Sequence, residues 1–310
     1  MKRRIGVSAG LNEIAGQSAA RAVNSISWTV TCIHMALSIL KNCLRYGVAL
    51  LVVAVFMFPI FWFGLTAIKP RSAIFNKDGV VWFEFVPGFD HFLAIWFGPP
   101  VYSISKSMLS SVTVALGSTT LVLLITIPAA YSLSRFNFRG HRWLFYGALL
   151  QRFLPPIAII IPLVFIFNGL GLRDTYSGVI AAHALINIPI ALLLMKSFFD
   201  DISTNVDDMS FIDGATRLQS FWYIILPSVR GGVAATAVLC FIFSWTEFLL
   251  SLFLTSSIRT LPIRIALFDP GSQTHLIAAT GVSAIIPGFI FIFLVQKYLV
   301  RGLTMGAIKE

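Results

Sequence analysis

Few side chains in this sequence are equipped for chemistry, because charged residues make up only 12% of its 310 positions. Those of interest interrupt long apolar runs, where an ionisable group is costly and marks a functional position by default. Arg152 follows Gln151 and precedes Phe153-Leu154-Pro155-Pro156. A guanidinium there can hold an anionic group or several hydroxyls through its fixed fork of donors, or can serve only to pair within a bundle. Glu247, beside Trp245 in another run, is the obvious acid to partner it, structurally or in transport. His183 and Asn187 lie one helical turn apart; they line a polar path or satisfy internal hydrogen bonds in a packed interior. The remaining histidines (His34, His91, His141, His275) have no metal-ligand spacing, so no metal is expected. Gly6-Val7-Ser8-Ala9-Gly10 has the letters of a nucleophile elbow but sits in a polar tail with no strand before it, and reads as chance. Cys32, Cys43 and Cys240 form neither a CxxC pair nor a disulfide framework.

The elements that must position these residues follow from hydropathy. Apolar residues are 57% of the chain and are grouped in blocks too long for a soluble core. Six stretches reach the roughly 20 residues needed to span hydrocarbon: 45–68, 107–133, 143–169, 177–199, 230–255 and 276–300. Backbone polar groups in lipid must be satisfied internally, so the expectation is an all-α polytopic membrane protein of six transmembrane helices. Lysines and arginines divide fifteen to seven between alternate sides of these spans, which places both termini in the cytoplasm. The net charge of +10 is therefore a membrane topology signal, and nucleic-acid binding is not expected. Residues 1–43 read as an N-terminal extension, with an interfacial helix at about 26–40 and Trp28 near the headgroups, and 44–310 as the transmembrane domain. No small-residue cleavage site follows a short apolar core, so a signal peptide is not expected.

The most patterned segment is the polar loop 200–229, between the fourth and fifth spans. A short helix is expected from about Ser203 to Asp213, ending at Gly214, where a left-handed residue is tolerated. Val206, Met209 and Ile212 recur at helical spacing, an apolar stripe suited to a groove on another protein. A second helix leads through Phe221 and Ile224 towards Pro227.

This loop resembles that of ABC importer permeases, written Glu-Ala-Ala, three residues, Gly, nine residues, Ile, one residue, Leu-Pro. Gly214, Ile224, Leu226 and Pro227 match it, with Asp208-Met209-Ser210 standing where the family has Glu-Ala-Ala. Asp213-Gly214-Ala215 resembles the carbohydrate branch. From about residue 45 onward the chain is similar to maltose-transporter-type permeases. Ala130 to Phe136 with Phe138-Arg139-Gly140 resembles their end of span two, Gly169 to Thr175 their loop between spans three and four, and Trp245-Thr246-Glu247-Phe248 a Trp-Asn-Glu-Phe in span five. Gln296-Lys297, Gly302-Leu303 and Gly306-Ala307-Ile308-Lys309 resemble their C-terminal end.

The resemblance implies a subunit of the bacterial inner membrane with a cytoplasmic coupling helix between spans four and five. Its implied partners are a second homologous permease, a dimeric cytoplasmic ATPase and an extracytoplasmic solute-binding protein. No cofactor is expected on this chain; ATP and Mg²⁺ would sit on the ATPase, and the sequence contains no G-x-x-x-x-G-K-[ST] phosphate loop. The implied solute is sugar-like, and Arg152 tilts it towards an anionic or heavily hydroxylated one. Two other classes fit a multispan chain less well. A multispan membrane enzyme needs clustered acids or histidines at an interface, and a stand-alone secondary transporter often carries inverted repeats and more spans.

Overall fold

The computed structural model describes residues 39–77 and 79–306. The expected extension, apart from residues 39–43, and Ala307-Ile308-Lys309 fall outside them. The chain divides into two compact units, residues 1–62 and 63–310. Helix α1 (Ile39–Ile68) has a mean hydropathy of 2.6 in its most apolar window. Within the first unit its leucines, valines and phenylalanines are exposed nearly all round, and Phe58 stacks on Trp62. A helix apolar on every side belongs in lipid or inside a larger assembly.

The second unit is all-helical among the described residues. After α1 come the short helices α2 (Arg71–Ile74) and α3 (Asp90–Phe97), then the long α4 (Ser105–Arg135). Helix α5 (His141–Leu150) passes through a 3₁₀ turn at Gln151–Phe153 to α6 (Pro156–Gly169). Helix α7 (Tyr176–Asp200) leads to α8 (Asn205–Ile212) and α9 (Arg217–Ser220). A π turn at Phe221–Ile225 and α10 (Leu226–Ser228) feed α11 (Arg230–Thr246). The chain closes with α12 (Leu249–Leu254), α13 (Leu261–Ala266) and α14 (Thr274–Gly306).

Helices α4, α7 and α11 pack together, with α14 against α11. Lipid offers no hydrophobic drive between helices, so close approach of small residues must supply the contact. Helix α4 buries Ser107, Ser110, Ser111, Ala115, Ser118 and Thr119, and the interior between these helices is filled by Val122, Ala184, Ala191 and Cys240. Gly232 on α11 lies directly beneath the Phe198 ring, in a space no side chain can share.

Among the described residues four helices (α1, α4, α7, α14) are long and apolar enough to cross a membrane, and up to six spans result if each of two bent pairs counts as one. The runs at 143–169 and 230–255 are thus not single straight helices. The first breaks at Leu154-Pro155-Pro156, bending by 108°. Leu154 and Pro155 each precede a proline and take extended ψ of 133°, because the proline ring disfavours the helical region for its predecessor. The second stops at Glu247, whose ψ is 130°, before α12, and the 71° bend near Val229 lies just ahead of it, where Arg217–Ser228 meets α11.

Candidate functional site

Helix α8 is the predicted loop helix, trimmed to eight residues. A helix so short is marginal in isolation, so tertiary bonds must hold it. Asp207 supplies them. Its carboxylate accepts from Arg135 Nε at 2.8 Å and from the Tyr131 hydroxyl at 3.0 Å, both at the end of α4. Arg135 Nη2 also donates to the Ile202 carbonyl at 3.0 Å, and the pair is almost wholly buried. Ser210 is buried one turn on, its Oγ 2.6 Å from the Asp207 carbonyl and 2.7 Å from Ser220 Oγ. Serine is close to alanine in size, which is why it fits a crowded position against α9.

The apolar stripe divides. Val206 is half-buried against the cluster that holds Tyr131, Phe199 and Phe221, whereas Met209 and Ile212 are 65% and 83% exposed. Asp208 and Asp213 are exposed as well. The turn after α8 is a complete Schellman motif. Gly214 N–H donates to the Phe211 carbonyl, Ala215 N–H to the Ser210 carbonyl, and Gly214 has φ of 84°. Thr216 and Gln219 then form a capping box that starts α9. Arg217 lies over the Phe136 and Phe211 rings, tying the turn to the end of α4. Phe221 is buried 4.8 Å from the Tyr131 ring, Ile224 and Leu226 are half-buried, and Pro227 is exposed. One extra residue in the π turn rotates the chain between the loop and α11.

The polar residues of the apolar runs do not form one cluster. His183 Nε2 is 3.3 Å from Glu247 Oε2 and 3.0 Å from Ser251 Oγ. Its Nδ1 is 3.3 Å from Ser244 Oγ, which also accepts from Asn187 Nδ2 at 3.3 Å and lies 2.5 Å from Ser118 Oγ. Glu247 further accepts from the Leu250 and Ser251 N–H groups at 2.8 and 3.2 Å, capping α12 at the helix break. Glu247 therefore partners His183, not Arg152. Arg152 is exposed, with its guanidinium 5.2 Å over the Phe243 ring. It shares a hollow of about 200 Å³ with Gln151, Leu154, Ile159 and Ile186. Gln151 Nε2 donates to the Leu185 carbonyl at 3.2 Å. Trp245 stacks on Phe241 and borders a separate apolar hollow with Phe248, Leu261 and Ile265. Among the described residues no group of three His, Cys, Asp or Glu side chains is placed to hold a metal.

Residues 122–305 match the family described as "Binding-protein-dependent transport system inner membrane component". The chain belongs to that family. It is 33% identical over 268 residues to the trehalose transport system permease protein SugB of Mycobacterium tuberculosis, covering 84% of this chain and 94% of that protein. It is 28% identical to the trehalose/maltose transport system permease protein MalG of Thermococcus litoralis, covering 87% and 98%. A chain of the bacterial ABC transporter that imports the acidic polysaccharide alginate shares the fold, with a TM-score of 0.68 at 21% identity, covering 84% of this chain and 96% of that one.

Two of the stretches that resemble the family have a clear structural role. In Gly169–Thr175, Gly171 and Asp174 take positive φ, and Thr175 caps α7 by accepting from Gly178 N–H at 3.0 Å. The Asp174 carboxylate accepts from the N–H groups of Ser256, Ser257 and Ile258, clamping this loop to the one after α12. Those donors hold it well below the usual carboxylate range. Sequence reasoning missed Asp207, Ser244 and Ser251. Tyr131 and Arg135 in the span-two motif signalled that an acid was needed there but not which one, and nothing marked Ser244 or Ser251.

Proposed function

We propose that this permease-family chain is one half of the translocation path of an ATP-driven importer for a sugar or sugar-like solute. The observation that carries the reading is the two-sided α8. One side is latched to α4 through Asp207 and Arg135, and the other leaves Met209 and Ile212 uncovered. An apolar knob on a rigidly anchored short helix suits a cleft on a cytoplasmic ATPase, whose closure would then move α4 and α11 together.

In this proposal the bent pairs α5–α6 and α9–α11 each count as one span, giving six, with α8 and both termini in the cytoplasm. A second homologous permease completes the path, and an extracytoplasmic binding protein delivers solute. ATP and Mg²⁺ belong to the partner ATPase dimer, in keeping with the missing phosphate-loop motif. Two relatives are named as trehalose or trehalose/maltose permeases, which supports a sugar class. Gln151 and Arg152 border the path, while His183, Asn187 and Glu247 hold its wall together.

The test is co-purification followed by transport. Wild-type chain should bring down an ATPase subunit and a second permease, and solute uptake should require ATP. Met209→Ala with Ile212→Ala should leave the spans folded yet lower ATP-coupled uptake at least tenfold. Uptake that continues without any ATPase would overturn the proposal.

A further inference from the structure

At the end of the bundle where α4 begins there is a pocket of about 470 Å³, room enough for a monosaccharide-sized group. It lies about 45 Å from the Arg135 end of α4, given 1.5 Å of rise per residue over that helix, so it is distinct from the coupling loop. Lys106, Arg259 and Arg264 line it, with Ser107, Ser110 and Tyr176, and no aspartate or glutamate does. Among the described residues none of these three cations has a carboxylate within ion-pair distance. The acid of the adjoining loop, Asp174, is already engaged by the N–H groups of Ser256, Ser257 and Ile258.

Arg264 is the telling residue. It is only 8% exposed, yet its Nε has no hydrogen-bond partner. Its Nη2 donates to the carbonyls of Val101 and Pro100 and its guanidinium lies 5.2 Å over the Phe268 ring, which fixes it in place without supplying a negative charge. Burial, and then the nearby positive charge of Arg259, disfavours its charged form. A buried cation that is fixed in place, unpaired and flanked by two more cations is costly unless something negative completes it. Hydroxyls are at hand as further donors, with Ser110 Oγ 2.8 Å from the Tyr176 hydroxyl.

We infer that this pocket binds an oxyanion group (carboxylate, sulfate or phosphate ester) between Lys106, Arg259 and Arg264. Such a group is carried either by an acidic solute or by an anionic lipid headgroup. The site needs nothing from the sugar reading above, since it stands on charge and geometry alone.

The probe is inorganic sulfate, titrated into the purified assembly containing this chain and read by melting temperature against chloride of equal ionic strength. Sulfate should stabilise saturably. Lys106→Gln with Arg259→Gln, both exposed positions, should raise the half-saturating sulfate concentration about tenfold or more, about 1.4 kcal/mol for each tenfold. Arg139→Gln, exposed and outside the pocket, should leave it unchanged. Displacement of sulfate by glucuronate but not glucose assigns the site to an acidic solute. Displacement by phosphatidylglycerol but not phosphatidylcholine assigns it to a headgroup. Equal effects of sulfate and chloride, an unaltered double variant, or displacement by neither competitor would overturn the inference.

Discussion

Asp207→Ala is the perturbation whose size follows most directly from the geometry. It removes acceptors from the Tyr131 hydroxyl and from Arg135 Nε, in a pair whose side chains are 7% and 8% exposed. Taking one partner from a buried ion pair costs about 3–5 kcal/mol. Arg135 keeps the Ile202 carbonyl and the Ser134 hydroxyl, which places the loss near the low end, at about 3 kcal/mol. That corresponds to roughly a 150-fold shift in the equilibrium for opening α8. Amide hydrogen exchange over residues 205–212 should therefore accelerate by about that factor, while residues 110–130 within α4 keep their protection. A double-mutant cycle with Arg135→Ala should give a coupling of about 1.5–3 kcal/mol. Exchange within threefold of wild type, or strict additivity of the two changes, would refute the latch.

Other outcomes follow from the same contacts. Gly214→Pro forces φ towards about −65° where 84° is required, so it should unwind the end of α8 and lower ATP-coupled uptake at least tenfold while the assembly still purifies intact. Gly232→Ala drives a Cβ into the Phe198 ring and should destabilise by about 1–3 kcal/mol, seen as a lower melting temperature. Asp174 is depressed by its N–H donors, so the clamp is fully present above the ordinary carboxylate value of about 4 and is lost as pH falls through the lower folded value. Asp174→Ala should remove that acid-side loss from a pH series of melting temperatures and lower stability near neutrality. Glu247→Ala uncaps α12 and strips His183 of its acid, and should cost about 2 kcal/mol; a melting temperature equal to wild type would count against the cap.

Helices α1, α4, α7 and α14 were legible because a membrane span is written as a run of some 20 apolar residues, a local property. The breaks at Pro155-Pro156 and Glu247 were not, since a proline in an apolar run is compatible with a kink as well as a full stop. In the loop, Gly214 was readable from its backbone requirement alone. The Asp207–Arg135 pair was not, because 72 residues separate its members and nothing local distinguishes Asp207 from Asp208. The pairing of Glu247 with Arg152, one of the alternatives the sequence left open, is not made, for a similar reason. Glu247 is committed to the N–H groups opening α12 and to His183, a choice made by the helix break rather than by charge balance.

The split of α8 into a latched side and a bare one has a consequence for how such chains diversify. Asp207 and Ser210 answer to the interior, where almost any change is penalised. Met209 and Ile212 answer only to whatever is met outside. If α8 docks as proposed, substitutions at the second pair would re-address the subunit to a different motor without disturbing the bundle, and grafting those two side chains between relatives would be the shortest route to exchanging engines.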